Sequence, residues 1–332
     1  MTHIDLTLAG QDPSTNNDFP KTICKMEKLD LPDWMSQLPP ELHTVSLWDL
    51  AIPGSHDTMS YCLDGSSTLE PNAPCWVKVL QNFYPRLVGL IVKRWTTTQD
   101  LSIIEQLNAG VRYFDLRIAC KPKDVTHTFY FAHALYTTVT VEETLTEVAR
   151  WLEHHPKEVV ILACSSFDGL FLNDHQRLIA KLPQLFGKKL CPKTACPSLQ
   201  HCWDHEYQVI LSYAHSAASG HQELWPQIDY WWSHQDRTSA SEVIKYLDDR
   251  LQDEGRSDTF FVAGLNLTEN NCYLIKHLFL SMREMTLAAF PELLAWVKRQ
   301  HCGHSKECIN IIAADFVGVN QFVQLVIEIN TK

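Results

Sequence analysis

Two histidines, three carboxylates and one arginine lie inside or directly after four apolar segments of the chain. An unpaired charge in such a segment is costly, so several of them together need a shared reason. Taken alone, each group also has an ordinary explanation as a buried histidine, an ion pair or a helix cap. Together they predict a catalytic pocket. The residues are His56 and Asp57 in LAIPGSHDTM, Asp115 and Arg117 in FDLRI, His133 in FYFAHAL and Asp315 in IIAADF.

Two imidazoles with separate acidic partners are the groups that an in-line displacement at phosphorus requires. One imidazole takes a proton from the attacking hydroxyl, and the other gives a proton to the leaving oxygen. An arginine between them would bind the phosphate and stabilise the charge on its equatorial oxygens. Because the same groups can serve other reactions, the residue types alone indicate an acid–base enzyme, with a phosphodiester as one candidate substrate.

Seven apolar segments with strand-like composition alternate with helical patterns over most of the chain. This alternation predicts a parallel sheet, and one domain with about eight such units predicts an α/β fold with a TIM-type (β/α)8-like barrel. Functional residues of such a barrel cluster at the carboxyl ends of its strands, and the first strand is expected to stop at Pro53-Gly54. An open doubly wound sheet is the alternative, but no glycine-rich nucleotide-binding pattern follows a strand. The segments are 44–52, 111–119, 128–136, 158–166, 207–215, 260–268 and 310–318.

Two of the helices between these strands have clear start signals. Thr140 and Glu143 have the spacing of a capping box at the start of a helix predicted over 140–156. Ser239 and Glu242 repeat this spacing at the start of a second helix. Apolar residues three and four positions apart give the first helix one core-facing side.

The composition, with 45% hydrophobic and 20% charged residues among 332, is typical of a folded globular protein. Residues 1–30 are polar and aperiodic, which predicts a flexible N-terminal arm before a barrel over residues 31–332. The net charge of −11 argues against nucleic acid as a partner and gives no general attraction to anionic lipid. Scattered cysteines, 11 in number, and the lack of a membrane-spanning or signal-peptide pattern predict reduced thiols and a cytoplasmic location.

The chain resembles the phosphatidylinositol-specific phospholipase C X domain-containing proteins from about residue 34 to residue 328. The motifs that carry the resemblance are LAIPGSHDTMSY, QLNAGVRYFDLRI, YFAHALYTTVTVEETLTEVARWLEHHPKEVVILAC, ELWPQIDYWW, FFVAGLNLTEN and NIIAADFVG. The resemblance implies a TIM-type barrel similar to the secreted bacterial phosphatidylinositol phospholipases C. It also implies that the chain lacks the accessory lipid-binding and calcium-binding modules of the large eukaryotic enzymes.

The same resemblance implies a role for each pocket residue. His56 matches the general base that would deprotonate the inositol 2-hydroxyl, and Asp315 matches the acid that orients this base. His133 matches the general acid for the diacylglycerol oxygen, with Asp57 supporting it, and Arg117 matches the phosphate-binding arginine. The implied reaction is attack of the 2-hydroxyl on phosphorus, which gives diacylglycerol and an inositol cyclic phosphate.

Arg117 also bears on the cofactor, because the large eukaryotic enzymes place a calcium-binding acid at the matching position. A resident cation there would repel a metal ion, so we expect no cofactor and no calcium requirement. Asp115 could hold this arginine in place. By resemblance, Asp115, Ser165 and Tyr213 are the predicted substrate-binding residues, with Ser166 as a further loose match.

A phospholipase must reach phosphatidylinositol at an interface, so we also expect peripheral membrane contact. Residues 85–95 and 225–232 combine apolar side chains with tryptophan, and the first range ends in basic residues. Tryptophan and tyrosine favour the headgroup region, and basic residues attract anionic lipid. Packing of these aromatic residues in the core is the alternative explanation.

Three other patterns have ordinary explanations. The cysteine and histidine residues of 191–205 and 301–308 lack the paired spacing of structural zinc sites, so both ranges are expected to be loops. Asn266 begins an Asn-Leu-Thr glycosylation pattern, but it lies at the end of a predicted core strand of a protein expected inside the cell.

Two rival functions remain from the sequence. A lipid-binding protein could keep this barrel and lose turnover, although the presence of both histidines and the arginine argues against decay of the site. A glycerophosphodiesterase is a second barrel enzyme that acts on phosphodiesters. Its His-Arg-Gly start and metal-binding acids are missing here, where the chain reads His-Asp-Thr.

Overall fold

The structure of the protein is a computed structural model that describes most of the chain after residue 30. The predicted arm over residues 1–30 lies outside the described residues. Those described are 31–71, 73, 75–122, 124, 126–193, 196–232, 237–253 and 259–332.

Ten strands form one curled sheet, and eight of them are parallel to their neighbours. The strands are β1 (Ile52–Ser55), β2 (Tyr113–Cys120), β3 (Phe129–His133), β4 (Leu135–Thr140), β5 (Val160–Asp168), β6 (Val209–Tyr213), β7 (Leu224–Trp225), β8 (Asp229–Trp231), β9 (Phe261–Gly264) and β10 (Ile311–Ala314). The order β7-β6-β5-β2-β1-β10-β9-β8 follows the chain around a barrel. This order confirms the predicted TIM-type α/β class, since a doubly wound sheet would reverse its strand order. Among the described residues no ladder joins β7 to β8, so the barrel is open there.

Helices lie around the sheet, and several of them bury one apolar side in the core. The α-helices of the described chain are α1 (Pro40–His43), α2 (Cys75–Phe83), α3 (Pro85–Thr96), α4 (Ile103–Asn108), α5 (Val141–His154), α6 (Leu172–Phe186), α7 (Leu199–Asp204), α8 (Ala240–Asp253), α9 (Asn271–Lys276), α10 (Met282–Lys298) and α11 (Phe322–Ile329). Short 3-10 helices lie at Leu31–Gln37, Leu47–Asp49, Ser60–Cys62, Gly187–Lys189 and Ser216–Ala218. The predicted capping box of Thr140 and Glu143 is confirmed at the start of α5. None of the described helices is long and apolar enough to cross a membrane.

The first predicted strand is wrong in its position. Most of segment 44–52 is irregular or forms the 3-10 helix Leu47–Asp49, and β1 begins only at its last residue. Pro53 and Gly54 lie inside β1 and do not end it. The proline carbonyl still accepts a ladder hydrogen bond from Arg112, and the glycine lets the Tyr113 ring approach, because a Cβ there would lie 2.9 Å from its Cδ1.

The third predicted strand is two strands. Segment 128–136 divides into β3 and β4, which pair antiparallel with His133 opposite Leu135. Ala134 makes this tight turn with a left-handed φ of 59°. Since β3 also pairs antiparallel with β2, His133 ends a hairpin strand that runs opposite to the parallel strands. The short strands β7 and β8 were not predicted, because two or three residues are too few to show a period.

One buried ion pair ties the start of the described chain to the barrel. Arg112, before β2, is fully buried and donates through Nε and Nη2 to Glu158 Oε2 at 2.9 and 2.7 Å. Its Nη2 also donates to the carbonyl of Pro32 at 2.7 Å, and Trp34 donates to the Gly110 carbonyl at 2.9 Å. The segment Leu31–Gln37 is therefore held by a charge that has no access to water.

Replacing Glu158 by alanine is expected to lower the free energy of unfolding by about 3–5 kcal/mol, because Arg112 would remain buried without its counter-charge. Urea unfolding followed by circular dichroism measures the loss. The matched control is Asp249→Ala, which breaks the exposed pair with Lys245 and should cost about 0–1 kcal/mol. Equal losses in the two variants would contradict the importance of the buried pair.

Candidate active site

Two neighbouring parallel strands place His56 and Asp315 next to each other. His56 directly follows β1 and Asp315 directly follows β10, and the last residues of these strands, Ser55 and Ala314, are register partners. The Gln99 side chain ties the two strand ends together. Its Nε2 donates to the carbonyl oxygens of His56 and Ala314, at 2.9 Å each. Both site residues therefore leave the barrel at the same edge.

Left-handed backbone follows three of the predicted catalytic residues. Asp57, Ala134 and Phe316 have φ angles of 42°, 59° and 52°. Residues other than glycine avoid this region, and each such residue costs about 1–3 kcal/mol. Hydrogen bonds stabilise the strained turns: Asp57 N donates to Asp115 Oδ2 at 3.0 Å, and Phe316 N donates to the Thr98 carbonyl at 2.7 Å. Strain at three turns around one cluster is typical of a functional site.

His56 has a single tautomer when neutral, set by its contacts with Asp315 and Arg117. Its Nδ1 lies 2.8 Å from Asp315 Oδ1, and its Nε2 lies 2.7 Å from Arg117 Nη2. A guanidinium can only donate, so Nε2 accepts and Nδ1 carries the proton. Burial lowers the pKa of His56, but the carboxylates of Asp315 and Asp57 outweigh it and hold that pKa above its usual value.

Asp315 is itself oriented by a chain of hydrogen bonds that the sequence analysis missed. The buried Asn266 donates from Nδ2 to Asp315 Oδ1 at 2.9 Å, and its Oδ1 accepts from the Tyr230 hydroxyl at 2.7 Å. A Cβ at Gly264 would lie 2.5 Å from the Tyr230 ring, so only glycine fits there. The available signal is an amide residue at the end of an apolar strand, which the sequence pattern marks only as a glycosylation motif.

His133 is positioned to carry two protons. Its Nδ1 lies 2.7 Å from the Thr96 carbonyl oxygen, and its Nε2 lies 3.2 Å from Asp57 Oδ2. Since both neighbours can only accept, the doubly protonated ring satisfies both contacts. Burial, Arg117 and His56 lower the pKa of His133, whereas Asp57 raises it, and the result lies below the usual value. The two hydrogen-bond acceptors favour the imidazolium form of His133, whereas burial and the neighbouring Arg117 and His56 favour loss of its proton.

Arg117 lies between the two histidines and is held by acids. Its Nε contacts Asp57 Oδ1 at 2.9 Å and Asp115 Oδ2 at 3.4 Å. Burial raises the pKa of Asp115, but Arg117 and the hydrogen bond from Ser165 Oγ to Asp115 Oδ1 hold it below its usual value. Asp115 is buried and Arg117 is 28% exposed. Asp115 and Ser165 therefore join the cluster as supports of Arg117.

Tyr213 is not brought into this cluster. Its hydroxyl lies 2.8 Å from His175 Nδ1, and its ring packs on Phe167. His175 in turn stacks on His215 with ring centroids 3.6 Å apart. Tyr213, which a loose match predicted to bind substrate, therefore belongs to a separate aromatic group next to β6.

Two other aromatic residues lie beside His56. The rings of Tyr230 and Trp232 have centroids 6.1 and 6.4 Å from that of His56. Both belong to range 225–232, which the sequence suggested for membrane contact, and Trp231 in the same range is buried. The structure places this range in the barrel wall and at the site, as the alternative explanation had it.

Within the part of the chain that the structure describes, no group of three or more histidine, cysteine, aspartate or glutamate side chains has the geometry of a metal site. The acids closest to the two histidines instead contact Arg117 or the imidazoles. The arrangement can remove a proton at one imidazole, supply one at the other and hold an anion between them.

A family model described as PI-PLC X 1 matches residues 87–257, which include Arg117 and His133. PI-PLC X domain-containing protein 1 of Danio rerio is 49% identical over 300 residues, 90% of this chain and 96% of that protein. The chain belongs to the PI-PLC X domain-containing family. The human protein of the same name is 44% identical over 324 residues, 97% of this chain and 98% of its own.

Solved structures agree with this fold. The PI-PLC X domain chain superimposes on the phosphatidylinositol-specific phospholipase C of Listeria monocytogenes with a TM-score of 0.58 and 20% identity, covering 92% of this chain and 100% of that one. A variant of the Staphylococcus aureus phosphatidylinositol-specific phospholipase C gives a TM-score of 0.61 at 16% identity, with 91% and 97% covered. At such identities the likeness establishes the barrel fold alone.

In this PI-PLC X domain protein, Asp315→Asn is expected to lower the pKa of His56, because the carboxylate that stabilises the imidazolium is removed. Titration of the histidine ring signals by NMR measures the shift. The signal of His133, whose charged neighbours are Asp57, Arg117 and His56, is the internal control. An unchanged or raised pKa of His56 would show that Asp315 does not act on this ring.

Proposed function

We propose that this protein cleaves phosphatidylinositol-type lipids as a phospholipase C. The observation that carries the proposal is the pairing of two unlike imidazoles, 6.4 Å apart between ring centroids, around Arg117. His56 Nε2 accepts from Arg117 while Asp315 holds its Nδ1, and His133 Nε2 faces the Asp57 carboxylate. In the proposed reaction, His56 acts as the neutral base once Arg117 has left its Nε2, and His133 acts as the imidazolium acid.

The reaction follows from these positions. His56 Nε2 takes the proton of the inositol 2-hydroxyl, and the resulting oxygen attacks phosphorus. His133 Nε2 gives its proton to the diacylglycerol oxygen as the bond from phosphorus to this oxygen breaks. Arg117 leaves Nε2 of His56 and binds the equatorial phosphate oxygens, where charge develops. The products are diacylglycerol and an inositol cyclic phosphate, which water can open with the histidine roles reversed.

The proposal includes chemistry without calcium. The Arg117 guanidinium contacts carboxylate oxygens of both Asp57 and Asp115, the acids that a cation in this position would use. A divalent ion would have to displace a positive charge already paired with them. Arg117 thus supplies the phosphate-binding charge that a metal ion would otherwise provide.

A lipid-binding protein without turnover is the second candidate, and one observation favours it. Arg117 Nη2 occupies the Nε2 lone pair of His56 at 2.7 Å. The cavity among Asp57, Asp115, Arg117 and His133 has a volume of about 10 Å³, room for one water at most. Turnover therefore requires the guanidinium to move when the headgroup binds.

We also propose peripheral membrane contact through α2 and α3, on a cytoplasmic membrane face. Leu87 and Leu90 of α3 are more than half exposed, and Phe83 at the end of α2 is 74% exposed. Residues 71–99 contain four basic side chains and no acid, in a chain of net charge −11. A local positive surface with exposed apolar side chains suits an anionic lipid interface.

Purified protein should release diacylglycerol and cyclic inositol phosphate from phosphatidylinositol vesicles in the presence of chelator. His56→Ala and His133→Ala are each expected to lower turnover by about 10²- to 10⁴-fold, the usual contribution of one general base or acid. Vesicle sedimentation checks that both variants still bind lipid. Binding by the wild type without any product would favour the second candidate, and activity only after calcium is added would refute the assigned role of Arg117.

The double variant Arg86→Glu/Lys93→Glu is expected to bind anionic vesicles about ten- to a hundredfold more weakly, since each basic residue at the surface contributes about 1 kcal/mol. The matched control is Lys306→Glu, an exposed lysine in the loop before β10. If the control weakens binding as much as the double variant, the effect is one of net charge and α3 has no special position.

A further inference from the structure

The exposed large apolar side chains of the described residues are concentrated in one place. Ten of the twelve lie on α2, on α3, at Tyr84 between these helices and in residues 275–280, which form what we call the apolar rim. The two parts of the rim are joined by Arg94 Nη2, which donates to the Phe279 carbonyl at 2.8 Å. Phe279 itself is 90% exposed. Large contiguous apolar surfaces of this kind mark binding sites.

A groove of about 290 Å³ opens within the apolar rim, between α2, α3 and α9. Its lining is apolar except for Tyr84, Thr96 and Glu269. The buried Val88 and Trp95 are among the residues that line it. This volume lies at the lower end of the range for small-ligand sites, roughly 300–1,000 Å³, so the groove suits part of a thin apolar molecule.

The groove borders the candidate active site on the side of His133. Thr96 lines the groove, and its carbonyl oxygen contacts His133 Nδ1 at 2.7 Å. Ala134, the residue after His133, lines it as well. Burial raises the pKa of Glu269, another lining residue, to about 7, which reduces the charge that an apolar ligand would meet. The groove therefore lies beside the imidazole that would protonate the leaving oxygen.

We infer that this groove binds one acyl chain of the substrate lipid, next to the diacylglycerol oxygen that leaves. The inference rests on the proposed function, because the position beside His133 defines which part of the lipid reaches it. It adds that a chain is drawn out of the bilayer into the protein, so that the acyl chain as well as the headgroup is recognised.

Lipid fits the groove better than a peptide helix or a second copy of this chain. An acyl chain needs no hydrogen-bond partners, and the lining offers few. The segment 71–99, which includes α2 and α3, carries four basic residues and no acid, and a second copy would bring the same positive charges against it. The groove also opens beside a site whose proposed substrate carries such chains.

The first experiment measures binding without catalysis. A lysophospholipid with a bromine-labelled chain, kept below its micelle concentration, should quench the tryptophan fluorescence of the wild type. Trp95→Phe should remove the saturable part of this quenching. Val77→Phe, which fills the groove, is expected to weaken binding roughly tenfold or more, since each methylene kept from an apolar site costs about fourfold. Val79→Phe makes the same change on α2 outside the groove lining and is the matched control.

Ile275→Ala removes apolar contact from the opposite wall without adding bulk, so it tests the groove even if Val77→Phe folds poorly. Its exposed position predicts a normal unfolding curve together with several-fold weaker quenching. Equal quenching in the wild type, Val77→Phe and Trp95→Phe would overturn the inference. A concentration-dependent dimer that Val77→Phe dissociates, with no quenching by the lipid, would assign the groove to a second copy.

The second experiment separates the groove from the reaction. With long-chain phosphatidylinositol, Val77→Phe should reduce kcat/KM at least tenfold relative to Val79→Phe, and with a soluble dibutanoyl substrate the two variants should be equal. Equal loss on both substrates would overturn the acyl-chain assignment. If the wild type turns over neither substrate, the proposed function fails, while the quenching experiment still decides whether the groove binds a chain.

Discussion

The arrangement of the site depends on the contacts of the Asp57 carboxylate. One of its oxygens contacts Arg117, and the other lies 3.2 Å from His133 and 3.6 Å from His56. Positive charge buried without such a partner would be strongly unfavourable. The single carboxylate thus allows an arginine and two histidines to lie within one partly buried cluster. The left-handed backbone of Asp57 is part of this constraint, since it turns the chain immediately after His56.

The barrel brings this cluster together from elements that are far apart in the chain. β10, β1 and β2 are neighbours in the sheet; Asp315 and His56 directly follow β10 and β1, and Arg117 lies within β2. The hairpin of β3 and β4 pairs with the distal half of β2 and returns His133 to the level of Arg117. Asn266 reaches Asp315 from just after β9, the next strand. Four adjacent parallel strands and one hairpin therefore determine the distances of the site.

Charge is distributed unevenly over the surface. The chain as a whole is acidic, and yet the segment that forms α2 and α3 has only basic charges and leads to an apolar groove beside His133. The net negative charge of the chain would repel anionic lipid, while the basic residues of α2 and α3 would attract it locally. Together these two effects favour one orientation of the protein at the membrane. In the proposed reaction, this orientation presents the groove and the leaving-group side of the site to the bilayer together.

The sequence was enough to predict the class of fold, because strand–helix alternation requires a parallel sheet and eight units close most simply as a barrel. It also determined which ionisable residues stand out, since charges in apolar segments are rare without a reason. The sequence pattern placed the first strand too early in the chain and merged β3 and β4 of the hairpin into one predicted strand. A strand that contains Pro53 and Gly54 has no typical composition, and the turn at Ala134 has no typical turn residue.

Which of these residues meet depends on the folded barrel. Asn266 and Gln99 could not be recognised, because a buried amide becomes informative only when its partners are known. Ser165 lies in β5 and Tyr213 is the last residue of the neighbouring β6, but the Tyr213 hydroxyl lies against His175, whereas Ser165 donates to Asp115. The groove is formed by helices from two distant parts of the chain, so its shape is absent from any local pattern. The sequence shows which residue types are present and how far apart they lie along the chain, whereas the packing of strands and helices sets their distances across the barrel.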